Sequence, residues 1–246
     1  MRILINGVSG YMGHEVEKMV LAGVRGTEFA GGVDPKAGDR EDCVKSFADG
    51  PAEADCIVDF SHHSCTAELL DYAIGHRLPV VLATTGQTEE EKQMIRDASE
   101  KIPVFYAANY SLGIALLAEM AKKVAAAMPE AEIEIIEKHH DRKLDAPSGT
   151  ALALAEAIRE VRPDSHAVCG RSGQGKRTPE EIGIHAVRMG NIVGEHEIMI
   201  GTPNQMITLK HEAYDRALFA EGALAAAEFL TGQPAGFYDM KSLVSF

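Results

Sequence analysis

Two histidines and three further cations fall in the stretch Glu137-Lys138-His139-His140-Asp141-Arg142-Lys143-Leu144-Asp145-Ala146-Pro147-Ser148-Gly149-Thr150-Ala151. Histidine is the side chain best placed to give up a proton near neutral pH, and lysine fixes a carboxylate or polarises an imine. Pro147 and Ser148 read as a stop followed by an N-cap. The amides of Gly149 and Thr150 then fall in the first turn of a helix, where free N–H groups and the dipole favour an anion. A proton donor beside a clamp for a dianion suits an acceptor that carries carboxylates. Two rival readings stay open at this level. One is a metal site from Glu137, His139, His140 and Asp141, weakened because adjacent histidines on a strand point to opposite faces. The other is a solvated charged loop ahead of a capped helix.

A second chemical signal stands at the N-terminus. Gly7-Val8-Ser9-Gly10-Tyr11-Met12-Gly13 lies between an apolar run and a helical pattern. The spacing GxxGxxG is a relative of the dinucleotide fingerprint, in which glycines let a pyrophosphate approach a helix N-terminus. Asp34 closes the second strand, where a carboxylate accepts hydrogen bonds from ribose hydroxyls and repels a 2′-phosphate. Lys36 softens that repulsion. Thr84-Thr85-Gly86 and Ala107-Ala108-Asn109-Tyr110 each follow a buried strand, the position where ligands of open α/β sheets collect. His62-His63 follows another strand and reads as polarity near the same crevice, without a catalytic role.

The elements that must hold these residues follow from periodicity. Strand patterns over 3–5, 28–33, 56–60, 79–83 and 102–106 alternate with helical patterns over 12–22, 64–76 and 88–100, and a short strand is expected around Val44. Thr88 caps the third helix, with Glu89, Glu90 and Glu91 suiting its dipole. Beyond residue 110 the texture changes. A long alanine-rich helix (112–128), a strand (132–136) and a helix (149–161) lead to a basic, glycine-rich stretch at 170–178. Three bunched strands follow at 182–189, 195–200 and 205–211, then an amphipathic helix over 216–230. The expected fold class is α/β: a Rossmann-like dinucleotide-binding domain over 1–110, then an α+β domain over 111–215 with a mixed sheet.

Composition narrows the function classes. The 246 residues are 46% hydrophobic and 25% charged, with a formal net charge of -13. That charge argues against nucleic-acid or anionic-membrane partners, which need positive potential. No apolar run approaches a membrane span, and the N-terminal run is too short for a signal peptide. Four cysteines without CxxC spacing read as free thiols of a cytoplasmic protein.

The segment 137–151 resembles the signature of 4-hydroxy-tetrahydrodipicolinate reductases, E-x-H-H-x-x-K-x-D-x-P-S-G-T-A. The likeness extends through the glycine loop, Thr84-Thr85-Gly86, Ala107-Ala108-Asn109-Tyr110, Gly194-Glu195-His196 and Gly236-Phe237-Tyr238-Asp239-Met240. It implies an NAD(P)H-dependent reduction of 4-hydroxy-tetrahydrodipicolinate, with loss of water, in diaminopimelate and lysine biosynthesis. It implies that residues 216–246 return to the cofactor domain, and that a homotetramer forms through the substrate-domain sheets. By the resemblance His139 is the proton donor and Lys143 the second catalytic group, while His140, Lys143, Gly149 and Thr150 grip the substrate carboxylates. Gly7, Val8, Ser9, Gly10, Tyr11, Met12, Asp34, Ala83, Thr84, Thr85, Ala107, Ala108, Asn109 and Tyr110 hold the cofactor. Tyr11 stands where many members carry Arg, and Pro35 where some do. Both Arg positions favour a 2′-phosphate, so NADH is the expected preference and NADPH the alternative. Ala83 replaces the more usual Gly, and the loop after Asp34 is short. The rival within this plan is another NAD(P)-dependent small-substrate dehydrogenase.

Overall fold

The computed structural model describes residues 1–244, which form two compact units: Met1–Ser111 with the residues from Ala217 onward, and Leu112–Arg216. In the first unit, β1 (Arg2–Asn6), β2 (Glu28–Val33), β3 (Cys43–Val44), β4 (Cys56–Asp59), β5 (Val80–Leu82) and β6 (Pro103–Tyr106) join a late strand, Gly236–Tyr238, in one parallel sheet. Its helices are α1 (Tyr11–Leu21), α2 (Thr66–His76), α3 (Glu89–Ser99), a long late helix Ala217–Leu230 and a short one at Met240–Val244. Ile3, Leu4, Ile5, Ile57 and Val58 have no exposed surface. That is why these strands read as continuous apolar runs without alternation: a parallel sheet is covered on both faces.

The second unit opens with α4 (Leu112–Ala127) and β7 (Glu132–His139). It continues through α5 (Gly149–Arg159), β8 (His166–Cys169), β9 (Glu181–Arg188), β10 (Gly194–Thr202) and β11 (Gln205–Ala213). The five strands lie in the order β11-β10-β7-β9-β8; β10 runs antiparallel to β7 and β11, and β7, β8 and β9 are mutually parallel. One face is the core: Ile133, Ile135, Ile182, Ile184, Ile198 and Ile200 pack against Leu117 and Ala121 of α4 and Leu154 and Ile158 of α5. Alternation along each strand therefore sends the intervening residues to the outer face.

Counting the late elements as α6 (Ala217–Leu230), β12 (Gly236–Tyr238) and α7 (Met240–Val244), the first sheet reads β12-β6-β5-β4-β1-β2-β3. The strand order reverses between β1 and β4, so the loops leaving them diverge and open a crevice at the carboxyl edge. The expected strand near Val44 is present, whereas β8, β12 and α7 were not foreseen. The expected amphipathic helix differs in kind: α6 is buried on most sides, with Ala220, Ala223, Leu224, Ala226 and Ala227 at zero exposure, and it packs on both α1 and the sheet.

Small side chains are what let α6 come so close. A Cβ built at Gly222 would lie 1.7 Å from the Tyr110 carbonyl oxygen. Gly222→Ala is therefore expected to destabilise the protein by about 1–3 kcal/mol, as overpacking does. A urea denaturation midpoint equal to that of the parent would refute the close approach.

Candidate active site

In the first unit, two adjoining cavities follow the carboxyl edge of the sheet. The smaller, about 310 Å³, is lined by Gly7, Ser9, Gly10, Asp34, Lys36 and neighbours. The larger, about 600 Å³, is lined by Tyr11, Met12, Ala83, Thr84, Thr85, Ala108, Asn109, Tyr110 and Phe219. Phe60, Ser61 and His62 line both, which makes one continuous trough.

The loop after β1 is shaped to let another molecule reach the backbone. Gly7 has φ +82, and a Cβ there would lie 2.6 Å from the Phe60 carbonyl oxygen. A Cβ at Gly13 would fall 2.1 Å from the Gly7 oxygen, so only glycine lets α1 start against the loop. The N-cap of α1, Gly10, has no side chain to occupy the first amides. Asp34 is nearly buried and accepts hydrogen bonds from the amides of Ser9 (3.1 Å) and Lys36 (2.8 Å). A carboxylate at the rim and open helix amides behind it fit a dinucleotide: amides for the pyrophosphate, the acid for a ribose.

Two of the fourteen residues expected at the cofactor line neither cavity. Val8 has no exposed surface and packs under Gly32, so it serves the core. Ala107 is the other. Tyr110 reaches the trough, yet its phenol donates to the carbonyls of Leu82 (2.7 Å) and Phe105 (3.2 Å) and so ties β5 to β6. Phe60 and Ser61 were missed, although the rule that picked residues 83–85 applies equally to the end of β4. Beneath them Asp59, almost fully buried, accepts from Asn6 Nδ2 (2.8 Å) and Ser61 Oγ (2.6 Å); burial pushes its carboxyl up.

In the second unit, β7 extends to His139, three residues beyond its expected end. Glu137 and His139 therefore share the core face, while Lys138 points outward and pairs with Glu195 at 3.0 Å. Glu137 has no exposed surface. Its carboxylate accepts from both terminal nitrogens of Arg188 (2.7 Å each), from the Ser148 amide (2.9 Å) and at His139 Nδ1 (2.6 Å). Burial alone would raise this carboxyl, but Arg188, His139 and the Ser148 amide outweigh it and hold it below the usual range. The opposite ring nitrogen, Nε2 of His139, faces Gly194: a Cβ there would lie 3.1 Å away.

Ser148 caps α5, accepting from the Ala151 amide at 3.2 Å, and its hydroxyl lies 3.1 Å from His196 Nε2. Gly149 and Thr150 open the helix behind it. Lys143 Nζ is 2.8 Å from Asp145 Oδ1, an ion pair that an incoming carboxylate must exchange. Burial, then the cations Arg142 and Arg216, lower His140 from its ordinary value. The cluster that the segment's composition suggested is thus smaller in space: Lys138 is on the far face, and exposed Arg142 pairs with Asp141 at 2.9 Å. Sequence reasoning missed Arg188 and the role of Gly194, and took Glu137 only as a metal ligand. A Glu and a His two apart on a strand share a face, so that pair was readable; Arg188, from β9, was not.

A parallel sheet with a dinucleotide-shaped trough at its switch point, joined in one chain to a buried histidine–carboxylate site, defines a nicotinamide-dependent oxidoreductase. The comparisons narrow this. The profile of the dihydrodipicolinate reductase N-terminus matches residues 1–110, and that of the dihydrodipicolinate reductase C-terminus residues 113–244. The chain belongs to the dihydrodipicolinate reductase family. It is 44% identical over 246 residues to the 4-hydroxy-tetrahydrodipicolinate reductase of Caldanaerobacter subterraneus subsp. tengcongensis, covering 99% of this chain and 98% of that one. To the same enzyme of Alkaliphilus metalliredigens it is 41% identical, over 99% of both. Among solved structures, a dipicolinate-bound dihydrodipicolinate reductase from Paenisporosarcina sp. TG-14 superposes with a TM-score of 0.83 at 26% identity, over 99% of each chain.

His196 gives the site a pH signature. It is 4% exposed, and burial, then the neighbouring His139, lower it from 6.5 to about 4. The unfolded chain binds a proton near pH 6.5 that the folded chain refuses until about pH 4. The stabilisation is complete above pH 6.5 and is lost as the pH falls toward 4. At 1.36 kcal/mol per unit this amounts to about 2 kcal/mol between pH 7 and pH 5. His196→Gln, which keeps an acceptor for Ser148, should flatten that slope in denaturant titrations at the two pH values; an unchanged slope would assign it to other groups.

Proposed function

We propose that this chain reduces 4-hydroxy-tetrahydrodipicolinate to tetrahydrodipicolinate, with loss of water, at the expense of NAD(P)H, as a step of diaminopimelate and lysine biosynthesis. The observation that supports it most is the His139 ring, held at Nδ1 by Glu137 and with Nε2 toward Gly194, which has no Cβ, in the same unit as Lys143 and the start of α5. A bound reduced nicotinamide supplies the hydride. His139 gives a proton from Nε2 to the ring carbon left electron-rich by the reduction. Lys143, His140 and the amides of Gly149 and Thr150 grip the two carboxylates, which orients the ring before reaction. The nearest named support is the dipicolinate bound to the Paenisporosarcina reductase, a planar dicarboxylate of the same outline.

Residues Gly7, Ser9, Gly10, Tyr11, Met12, Asp34, Ala83–Thr85 and Ala108–Tyr110 hold the cofactor. NADH is the preferred form: the Asp34 carboxyl lines the cavity where a 2′-phosphate would sit, and Tyr11, exposed, offers no positive charge. Lys36 beside it keeps NADPH usable. The chain works in the cytoplasm on a small dianion, with no nucleic-acid or membrane partner. Among the described residues no helix is long and apolar enough to cross a membrane. A homotetramer forms through the outer face of the five-stranded sheet, where alternation places Ile136, Val187, Met199 and Met206, the last 58% exposed.

The direct test is loss of nicotinamide absorbance with NADH and with NADPH, the substrate being made in place by the preceding synthase. Substrate-dependent oxidation with a higher kcat/KM for NADH is expected. Oxidation of neither would sink the activity, and faster use of NADPH would sink the role given to Asp34 and Tyr11. His139→Gln should lower kcat by about 10²–10⁴ with little change in KM, as loss of a proton donor does. Lys143→Ala should nearly abolish turnover while NADH binding, read by fluorescence quenching, stays as in the parent; lost NADH binding would place Lys143 at the wrong site.

A further inference from the structure

We propose that Glu137 is the positioning residue of the proton donor: it fixes which nitrogen of His139 faces the substrate and is itself clamped in place by Arg188. The inference rests on the reductase reading above. It adds a residue that acts only through His139.

The geometry leaves Glu137 little other purpose. A carboxylate with no exposed surface is costly unless its charge is compensated, and burying an apolar residue there would be simpler for stability. Here β9 supplies Arg188, whose two terminal nitrogens each lie 2.7 Å from the carboxylate. Arg188 is itself steadied by the Asp145 carbonyl at 2.6 Å. From β10 the ring of His196 packs edge-on to His139 at 5.2 Å between centroids and, being neutral near pH 7, brings no competing charge. Among the other ionisable groups nearby, which include His140 and His211, Lys143 and Asp145 pair with each other. The 2.6 Å contact from Nδ1 of His139 to Glu137 Oε2 thus defines the ring's orientation, with Nδ1–H donating. Nε2 is left as the nitrogen that delivers a proton, on the side where Gly194 lacks a Cβ. The Ser148 amide, bound to the other oxygen of the same carboxylate at 2.9 Å, sets the start of α5 in register with that ring. One buried carboxylate therefore aligns the acid with the helix end that grips the substrate.

The test compares Glu137→Gln with the parent in wild-type and His139→Gln backgrounds, using the chain with in-place substrate. In the wild-type background Glu137→Gln is expected to lower kcat on the order of 100-fold, as loss of an orienting carboxylate does. In the His139→Gln background it should cost nothing further, whereas a merely structural role would cost the same in both. A second readout needs no turnover. The short Nδ1–H bond should give a far-downfield proton resonance, present in the parent and missing from both His139→Gln and Glu137→Gln. Additive losses in the two backgrounds would overturn the proposal. So would a resonance that survives Glu137→Gln, or a parent that shows none, and this last readout holds even where Glu137→Gln fails to fold. A parent that oxidises NAD(P)H with no substrate dependence would instead overturn the reductase reading, while the resonance still decides whether Glu137 holds His139.

Discussion

A negative charge with no access to water must find its counter-charge inside the protein, and in the second unit that constraint falls on Glu137. Its partners come from three elements: His139 two residues along β7, Arg188 from β9 and the Ser148 amide at the head of α5. No short peptide could bring them together. They meet because β7 and β9 are parallel neighbours, with His139 opposite Arg188, and because α5 begins against the same strand end. Removing Arg188 would leave the buried carboxylate to His139 and the Ser148 amide, and breaking a buried ion pair costs about 3–5 kcal/mol in comparable sites. Fold and chemistry are thus bound to the same group of contacts.

The first unit meets its own constraint by the opposite means. There the loop after β1 presents backbone, and what lets it do so is the lack of side chains at Gly7 and Gly13, where a Cβ would overlap carbonyl oxygens. Backbone amides at a helix start attract phosphate without any added cation. This reconciles a formal net charge of -13 with an anionic cofactor and an anionic substrate. On the proposed reading, attraction is local, through the ends of α1 and α5 and a few cations such as Lys143 and Lys36, while the overall charge discourages large polyanions.

The order of elements was legible in the sequence because both periodicities are strong here. Buried parallel strands appear as unbroken Ile, Leu and Val runs, and helices such as α3 carry their start signal in Thr88 and the acidic residues after it. β8 escaped because His166–Cys169 is mostly exposed and has no alternation, and β12 because three residues are too few to show a period. The candidate site was named by residue type. His139, Lys143 and the cap at Ser148 could be picked from one segment. What failed was the third dimension: β7 runs on to His139, so Lys138 turns to the far face and leaves the cation cluster. Arg188, 51 residues from Glu137, has no local signal at all.

The pair His139 and His196 shows how environment divides labour between identical side chains. Their rings lie 5.2 Å apart, and two imidazolium charges at that distance would repel. Among the described residues His196 has the Ser148 hydroxyl at Nε2 and nearly closed surroundings, so burial keeps it neutral down to about pH 4. His139 has the Glu137 carboxylate. The two rings are thus set apart by their partners, a carboxylate for one and a hydroxyl for the other. Exchanging the two neighbourhoods would leave every histidine in place and move the carboxylate partner from β7 to β10.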